Sequence, residues 1–244
     1  HIGIDAAVLA NNHILDAGKQ GVTTTLALLD SAGIRHTGVF TNSLQFIREH
    51  PLVLRARGLT FALFNYTYGT NGIPTPDGTR VNRLDSLAIA RDIALVDRDK
   101  VDAVIVFFHW GDEYARLPDA RQRALAELCH LHGAEIVVGS HPHVIQPLVA
   151  TENRVTVYSL GNLVSNQRER YRDGGIIVTL DVTKEKNRPL SIQTAYTPVW
   201  VKLPDYSPLP PPVADTMAMS DTERRAYQQF IADTRQLLSP ATNH

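Results

Sequence analysis

The chain has 244 residues, 43% of them hydrophobic, so it is long enough and apolar enough for a sizeable globular core. Its 24 lysines and arginines nearly balance 25 aspartates and glutamates, which excludes a whole-chain field that would draw it to nucleic acid or to an anionic membrane. The single cysteine, Cys129, excludes an internal disulfide, and its place among helix-spaced apolar residues predicts a packed thiol.

Short apolar runs rich in β-branched residues alternate with helical patterns, which predicts a layered α/β domain. The clearest helical pattern covers residues 119–133, where Asp119 can cap the start and Gly133 the end, and a second pattern ends in the same way at Gly33. The predicted strands cover residues 6–10, 59–64, 103–108, 135–139 and 155–160.

The pattern changes after Gly174. Two segments of alternating hydrophobicity, residues 175–182 and 191–203, predict antiparallel strands. A proline-rich stretch then leads to a helix that should begin with a capping box of Ser220 and Glu223. We therefore expect a main domain over residues 1–203, followed over residues 204–244 by a linker and a terminal helix.

Four of the predicted strands end in polar residues. Because ligands bind beyond the carboxyl ends of the strands in α/β sheets, we expect these four loops to converge on one crevice. Pro142 should push His141 into extended backbone, so that His141 and His143 project to the same side and suit a divalent metal. The strand-end residues are Asn11, Asn12 and His13; His109, Trp110 and Gly111; Ser140, His141, Pro142 and His143; and Gly161 and Asn162.

Each motif also has an ordinary interpretation when taken alone. The Asn-Asn-His stretch is compatible with a simple turn, and His-Pro-His with a rigid surface turn. The remaining histidines are expected to be solvated or capping residues; they are His1, His36, His50, His130, His132 and His244.

Four motifs in this order, LANNHILDAG, FFHWGDEY, GSHPHVIQPL and VYSLGNLVSNQ, resemble the CapA-type poly-γ-glutamate capsule biosynthesis family. That family is a branch of the calcineurin-like metallophosphoesterase superfamily, and the resemblance runs from about residue 5 to about residue 185. It implies an α/β fold, the four-layer α/β/β/α sandwich. The Gly-Asp strand and second acidic motif that open the family find no match, so we expect a domain that lacks its N-terminal strand segment in this chain.

The resemblance also implies roles for single residues. His13 would protonate the leaving atom or steady transition-state charge, and Glu113 would lie at the rim of the site, in contact with substrate or with a metal ligand. The cofactor would be a pair of divalent metal ions, manganese, zinc or iron, and without the family's carboxylates it should bind weakly. The implied metal ligands are Asn12, His109, His141 and His143.

Two further segments offer substrate contacts. Residues 65–85 predict either a long ordered excursion over the site, with Tyr66, Tyr68, Asn71 and Arg83 as candidate contacts, or a structural Ω-type loop. Arg168 and Arg170 would bind carboxylates or phosphates of an anionic substrate, the alternative being a solvated basic face.

Two functions remain open from the sequence. The first is a metal-dependent, phosphoesterase-like hydrolase acting on an anionic surface polymer, such as poly-γ-glutamate, or on a phosphoester. The second is a non-catalytic factor that binds the polymer during capsule assembly or export. Either would have capsule synthesis proteins as partners and no nucleic acid, and would work outside the cytoplasm, held to the membrane or to lipid by a segment ahead of residue 1.

Overall fold

The structure is a computed structural model that describes residues 3–185 and 188–239. The chain contains helices together with strands that pair in both parallel and antiparallel fashion, which confirms the predicted α/β class. The strands are β1 (Ala6–Val8), β2 (Arg35–Thr37), β3 (Val39–Phe40), β4 (Leu52–Ala56), β5 (Leu59–Thr67), β6 (Arg80–Val81), β7 (Ala103–His109), β8 (Ile136–Ser140), β9 (Leu148–Ala150), β10 (Val155–Val157), β11 (Gly174–Thr183), β12 (Ser191–Lys202) and β13 (Ser207–Leu209). The helices are α1 (Gly18–Ser31), α2 (Ser43–Glu49), α3 (Ser86–Ala94), α4 (Ala120–Leu131), α5 (Pro211–Ala214) and α6 (Asp221–Leu238).

The chain divides into two compact units. Unit 1 comprises His1–Trp110, Ala124–Val138 and Lys184–Leu190, and unit 2 comprises Gly111–Arg123, Gly139–Thr183 and Ser191–His244. The expected boundary at residue 203 stays a prediction. His1 and His244 lie outside the described residues.

In unit 1 the sheet that carries the candidate residues is built around β5 and β7. These two strands are parallel, with Thr67 opposite His109, and β4 pairs antiparallel with β5. β1 pairs parallel with β2. The amphipathic helix α1 buries Val22 and Leu26, one turn apart, in a core cluster with Ala10 and Leu15. This apolar packing fixes the position of the segment after β1.

Unit 2 is built on antiparallel pairing. β11 pairs with β12 over ten residues, from Gly174 opposite Trp200 to Thr183 opposite Ser191, and β13 pairs with β12. β9 pairs with β10. Helix α6 places Tyr227, Phe230 and Ile231 in buried positions along one face.

Several local predictions are confirmed. Ser220 and Glu223 form the expected capping box of α6. The backbone N–H of Gln122 donates to the carboxylate of Asp119 over 2.7 Å, which caps α4 as expected. Cys129 is fully buried, and burial raises the pKa of its thiol to about 12, so it is a packed and unreactive residue. Among the described residues, no helix combines the length and the apolar character needed to cross a membrane.

Candidate functional site

The candidate residues of unit 1 follow β1 and end β7. The side chain of Asn65 accepts a hydrogen bond from the backbone N–H of Ala10 at 2.6 Å and donates to the carbonyl of Phe107 at 3.1 Å. It therefore ties together the two chain segments that carry Asn12 and His109. The His109 Nε2–H donates to the amide oxygen of Asn12 over 2.8 Å, so these two residues are in direct contact.

His13 forms an exposed pair with Asp16. Its Nδ1 lies 2.7 Å from a carboxylate oxygen of Asp16 and 3.4 Å from the amide nitrogen of Asn71. The shorter contact decides the tautomer, because a ring N–H donates to a carboxylate and cannot also accept from an amide. The backbone N–H of His13 donates to the side chain of Asn11, so the Asn-Asn-His stretch is also the turn that the ordinary interpretation expects.

Only some of the four candidate residues in the segment over residues 65–85 contact Asn12 or His109. Asn71 accepts a hydrogen bond from the Asn12 amide at 3.1 Å, and Tyr68 stacks on His109 with ring centroids 6.2 Å apart. Arg83 donates to the Thr70 hydroxyl at 2.6 Å, within the segment itself. Tyr66 is buried and its hydroxyl donates to Asp92, so the expected substrate contact by Tyr66 is wrong.

The His-Pro-His loop of unit 2 departs from the predicted backbone. His141 has a φ of 104° and His143 a φ of 60°, so the expectation that Pro142 makes His141 extended is wrong. Residues with a side chain at such angles cost about 1–3 kcal/mol each and persist where the surroundings hold them in place. The two rings nevertheless lie near each other, with centroids 6.3 Å apart.

Polar contacts hold this strained loop. The carbonyl of Pro142 accepts a hydrogen bond from the backbone N–H of Tyr114 at 2.7 Å. The buried side chain of Gln146 donates to the carbonyl of Ala115 at 2.9 Å and accepts from Gln122 at 2.8 Å. The segment after β7 is thereby fastened to the loop, which accounts for how the positive φ angles are maintained.

Asn162 fixes the imidazole of His143. Its amide oxygen accepts a hydrogen bond from His143 Nδ1 at 3.0 Å, while its amide nitrogen donates to the carbonyl of Arg172 at 2.8 Å and to Gln167 at 3.2 Å. Because both ends of the amide are used, its orientation is set and the His143 proton lies on Nδ1. An amide oxygen on one ring nitrogen is the arrangement that orients a histidine whose other nitrogen binds a metal or a substrate.

Glu113, Arg168 and Arg170 all lie in unit 2. Glu113 is exposed, and its hydrogen bond to Tyr114 is the main cause that raises the pKa of that tyrosine. Arg168 donates to the carbonyls of Val201 and Ser165 at 2.6 and 2.8 Å. Arg170 donates to both carboxylate oxygens of Asp233, at 3.0 and 2.8 Å.

Arg168 and Arg170 also line one pocket of unit 2. Its volume is about 210 Å³, and Asp173 and Asp233 are the acidic residues in its wall. Burial raises the pKa of Asp173, whereas the hydrogen bond from Arg170 lowers the pKa of Asp233. The ionised carboxylate of Asp233 therefore neutralises the charge of Arg170, one of the two arginines of this pocket.

Comparisons with known proteins identify the family. The family model described as "Bacterial capsule synthesis protein PGA_cap" matches residues 1–167, more than half of the chain. The chain belongs to this capsule synthesis family. The capsule biosynthesis protein CapA of Bacillus anthracis is 28% identical over 95% of the chain and 54% of its own length. The PGA biosynthesis protein CapA of Bacillus subtilis is 32% identical over 69% of the chain and 44% of its own length.

The chain spans about half the length of the curated relatives it matches. Among solved structures, the sulfate thiohydrolase SoxB of Thermus thermophilus, solved with glycerol, covers 96% of the chain and 38% of its own chain, with a TM-score of 0.49 and 15% identity. Family membership confirms the resemblance seen in the sequence and, with it, the metallophosphoesterase fold class.

The metal pair implied for this family can be tested against the described donors. Each unit offers two of the predicted ligands, Asn12 with His109 and His141 with His143. Imidazole and amide donors suit a divalent ion in kind. Within residues 3–185 and 188–239, however, no group of three or more His, Cys, Asp or Glu side chains could hold a metal ion. The described residues therefore do not fit a two-metal centre by themselves.

Several contributors to the site were missed in the sequence. Asp16 lies inside a motif that carried the resemblance, and its i,i+3 spacing from His13 was a usable signal. Asn162 was noted only as the end of a strand. Tyr114 ends the FFHWGDEY motif but was given no role, and nothing in the sequence distinguished Arg172 from Arg168 and Arg170.

Proposed function

We propose that this chain acts in capsule synthesis as a hydrolase of an anionic polymer, poly-γ-glutamate or a phosphoester-bearing chain, with His13 as the proton donor. The observation that carries this proposal is the pairing of the exposed His13 ring with Asp16 at 2.7 Å. A carboxylate that accepts from Nδ1–H orients the ring and stabilises its imidazolium form, whose Nε2–H is the proton that would pass to the leaving atom. The name of the Bacillus subtilis relative supports the choice of polymer.

The metal requirement belongs to the same proposal. The resemblance assigns Asn12, His109, His141 and His143 to metal ligation, and the described donors alone are too few for a centre. Metal content should therefore be measured together with activity. We further propose that the whole protein works at the cell surface, membrane-anchored and beside other capsule synthesis proteins.

A second function is favoured by one specific observation: the imidazoles of His13 and His143 are each oriented by a side-chain oxygen. A protein that binds the polymer and passes it to other capsule components needs cations and a shaped surface but no metal. In that case the oriented imidazoles of His13 and His143 would bind carboxylates of the polymer and would not transfer protons.

The experiment compares turnover and binding. The chain is incubated with poly-γ-glutamate and with a generic phosphodiester, each with added manganese, with added zinc and with a chelator. Loss of a general acid typically lowers a rate by about 10²–10⁴-fold, so His13→Ala should abolish most turnover of the cleaved substrate. His132→Ala is the matched control, because His132 is an exposed histidine at the end of α4.

The outcomes separate the two functions. Cleavage that His13→Ala removes and His132→Ala keeps supports the hydrolase. Metal-independent binding of the polymer, with no cleavage of either substrate, would replace the hydrolase with the polymer-binding function. An His141→Ala variant that loses metal while His13→Ala retains it would support the assigned ligand role of His141.

A further inference from the structure

The segment from Arg168 to Arg172 carries three arginines, and the protein itself uses two of them. Arg168 is bonded to two backbone carbonyls and Arg170 to both oxygens of Asp233. Guanidinium groups that are engaged in this way stabilise the loop. Neither is a strong candidate for binding a substrate anion, since releasing Arg170 would leave the buried Asp233 carboxylate without its charged partner and releasing Arg168 would remove a donor from two backbone carbonyls.

Arg172 differs from both. Its guanidinium carbon lies 3.5 Å from the centre of the Tyr114 ring, so the cation rests on an aromatic face. Among the described residues its one ion-pair contact is with Glu169, at 3.5 Å, and that carboxylate is 67% exposed. A guanidinium stacked on a ring keeps its N–H edge for an acceptor in its own plane, and such an acceptor can replace a long, solvated ion pair at little cost.

Two separate connections link Arg172 to His143. The first runs through its backbone carbonyl, which accepts from Asn162, the residue that fixes His143 Nδ1. The second runs through Tyr114, whose ring stacks on the His143 ring with centroids 6.0 Å apart at 27°. Tyr114 is itself held with a φ of 68° and bonded to Pro142. The cation and the imidazole therefore both contact one aromatic ring, that of Tyr114.

We propose that Arg172 is the carboxylate-binding residue of unit 2, and that Tyr114 positions it beside His143 to receive an acidic group of the polymer. This inference rests on the proposed function for its ligand. Arg172 provides the positive charge and the two-pronged donor geometry that a carboxylate accepts. It determines specificity and takes no part in bond cleavage. A phosphate would use the same donors, so the test includes both anions.

The test measures binding of a fluorescently labelled poly-γ-glutamate oligomer to the whole chain by anisotropy. Losing a hydrogen bond to a charged group should weaken binding about tenfold in Arg172→Ala. Arg172→Lys should restore only part of the affinity, because lysine lacks the planar fork. Tyr114→Phe keeps the aromatic face and should lose much less affinity than Tyr114→Ala, which should bind as weakly as Arg172→Ala.

The matched control is Arg188→Ala in unit 1, since Arg188 also forms an i,i+3 ion pair with a glutamate and its removal changes the net charge equally. Its affinity should stay the same. A second readout is the salt dependence of binding, which should be weaker in Arg172→Ala than in Arg188→Ala. Thermal unfolding of each variant identifies any loss of binding that is caused by misfolding. If Arg172→Ala misfolds, the affinity of Arg172→Lys tests the role of Arg172 instead.

The results distinguish this inference from the proposed function. If the unaltered chain binds the oligomer and Arg172→Ala binds equally well, the role of Arg172 is overturned while the polymer function stands. If the unaltered chain does not bind the oligomer, the proposed function fails first. Competition by glutarate stronger than by inorganic phosphate supports a carboxylate site, and the reverse order overturns it.

Discussion

Each unit presents one imidazole held by an amide oxygen, but the two units hold it by different means. In unit 1, His109 ends a regular strand and donates through Nε2 to Asn12. In unit 2, His143 lies in a loop with positive φ angles and contacts Asn162 through Nδ1. Unit 1 thus uses its sheet to place the ring, whereas unit 2 uses a strained loop fastened by side chains.

The difference indicates where each site is sensitive to mutation. A strand end is placed by backbone pairing, so changes to single polar side chains around His109 should be tolerated better than changes around His143. A strained loop depends on the contacts that hold it, and removing one releases the strain. Unit 2 should therefore lose its site through side-chain substitutions, and unit 1 mainly through changes that disturb strand packing.

The largest expected effect disturbs unit 1. Gly38 has a φ of 97°, and a Cβ there would collide with the Asn65 side chain and come within 2.8 Å of the Ala10 nitrogen. Gly38→Ala should lower the free energy of unfolding by about 3 kcal/mol, from backbone strain and overpacking together. Gly33→Ala is the control, since Gly33 has a φ of 70° and open space around it. Equal losses of unfolding free energy for both variants in denaturant would contradict the role of Asn65 in linking the segments that carry Asn12 and His109.

A smaller effect is expected from removing the side-chain amides of Asn162 and Asn12, which allows the two units to be compared directly. Asn162 is buried with three hydrogen bonds, so Asn162→Ala should cost about 2–3 kcal/mol through unsatisfied partners. Asn12→Ala removes two hydrogen bonds, one of them to His109 at the end of β7, and should cost about 1–2 kcal/mol. Asn162→Asp, which keeps an acceptor for His143, should fall between them. A greater loss in Asn12→Ala than in Asn162→Ala would reverse the proposed ranking.

The smallest expected effect is the dependence of stability on pH. Arg170 lowers the pKa of Asp233, so ionised Asp233 stabilises unit 2 above the ordinary aspartate pKa of about 3.9. This stabilisation should be lost as the pH falls through the lowered value. The stability difference between the unaltered chain and Arg170→Ala should be present at neutral pH and vanish in acid. A difference that persists below the titration of Asp233 would show that Arg170 acts by packing alone.

The sequence predicts what depends on local pattern. The strand predicted over residues 103–108 is present as β7, and the cap of Asp119 and the capping box of Ser220 and Glu223 depend on contacts three residues apart. The motif residues Asn12 and His109 were also assigned to one site, and they are in contact.

The rest depends on contacts that a pattern does not encode. The three arginines of residues 168–172 look alike in the sequence, and only their distant partners distinguish Arg168 and Arg170 from Arg172, for which we propose a carboxylate-binding role. The backbone rule for a residue before proline fails at His141, because the hydrogen bonds around the loop outweigh a local preference.

The most direct test of this account is the tautomer of the two histidines, measured by long-range ¹H–¹⁵N correlation spectra at about pH 8, where imidazoles are ordinarily neutral. Substitution to glutamine assigns each signal. We expect His109 to carry its proton on Nε2 and His143 to carry its proton on Nδ1, since an amide oxygen accepts from each. The same tautomer at both positions, or rapid exchange between tautomers at His143, would contradict the claim that Asn12 and Asn162 fix these rings.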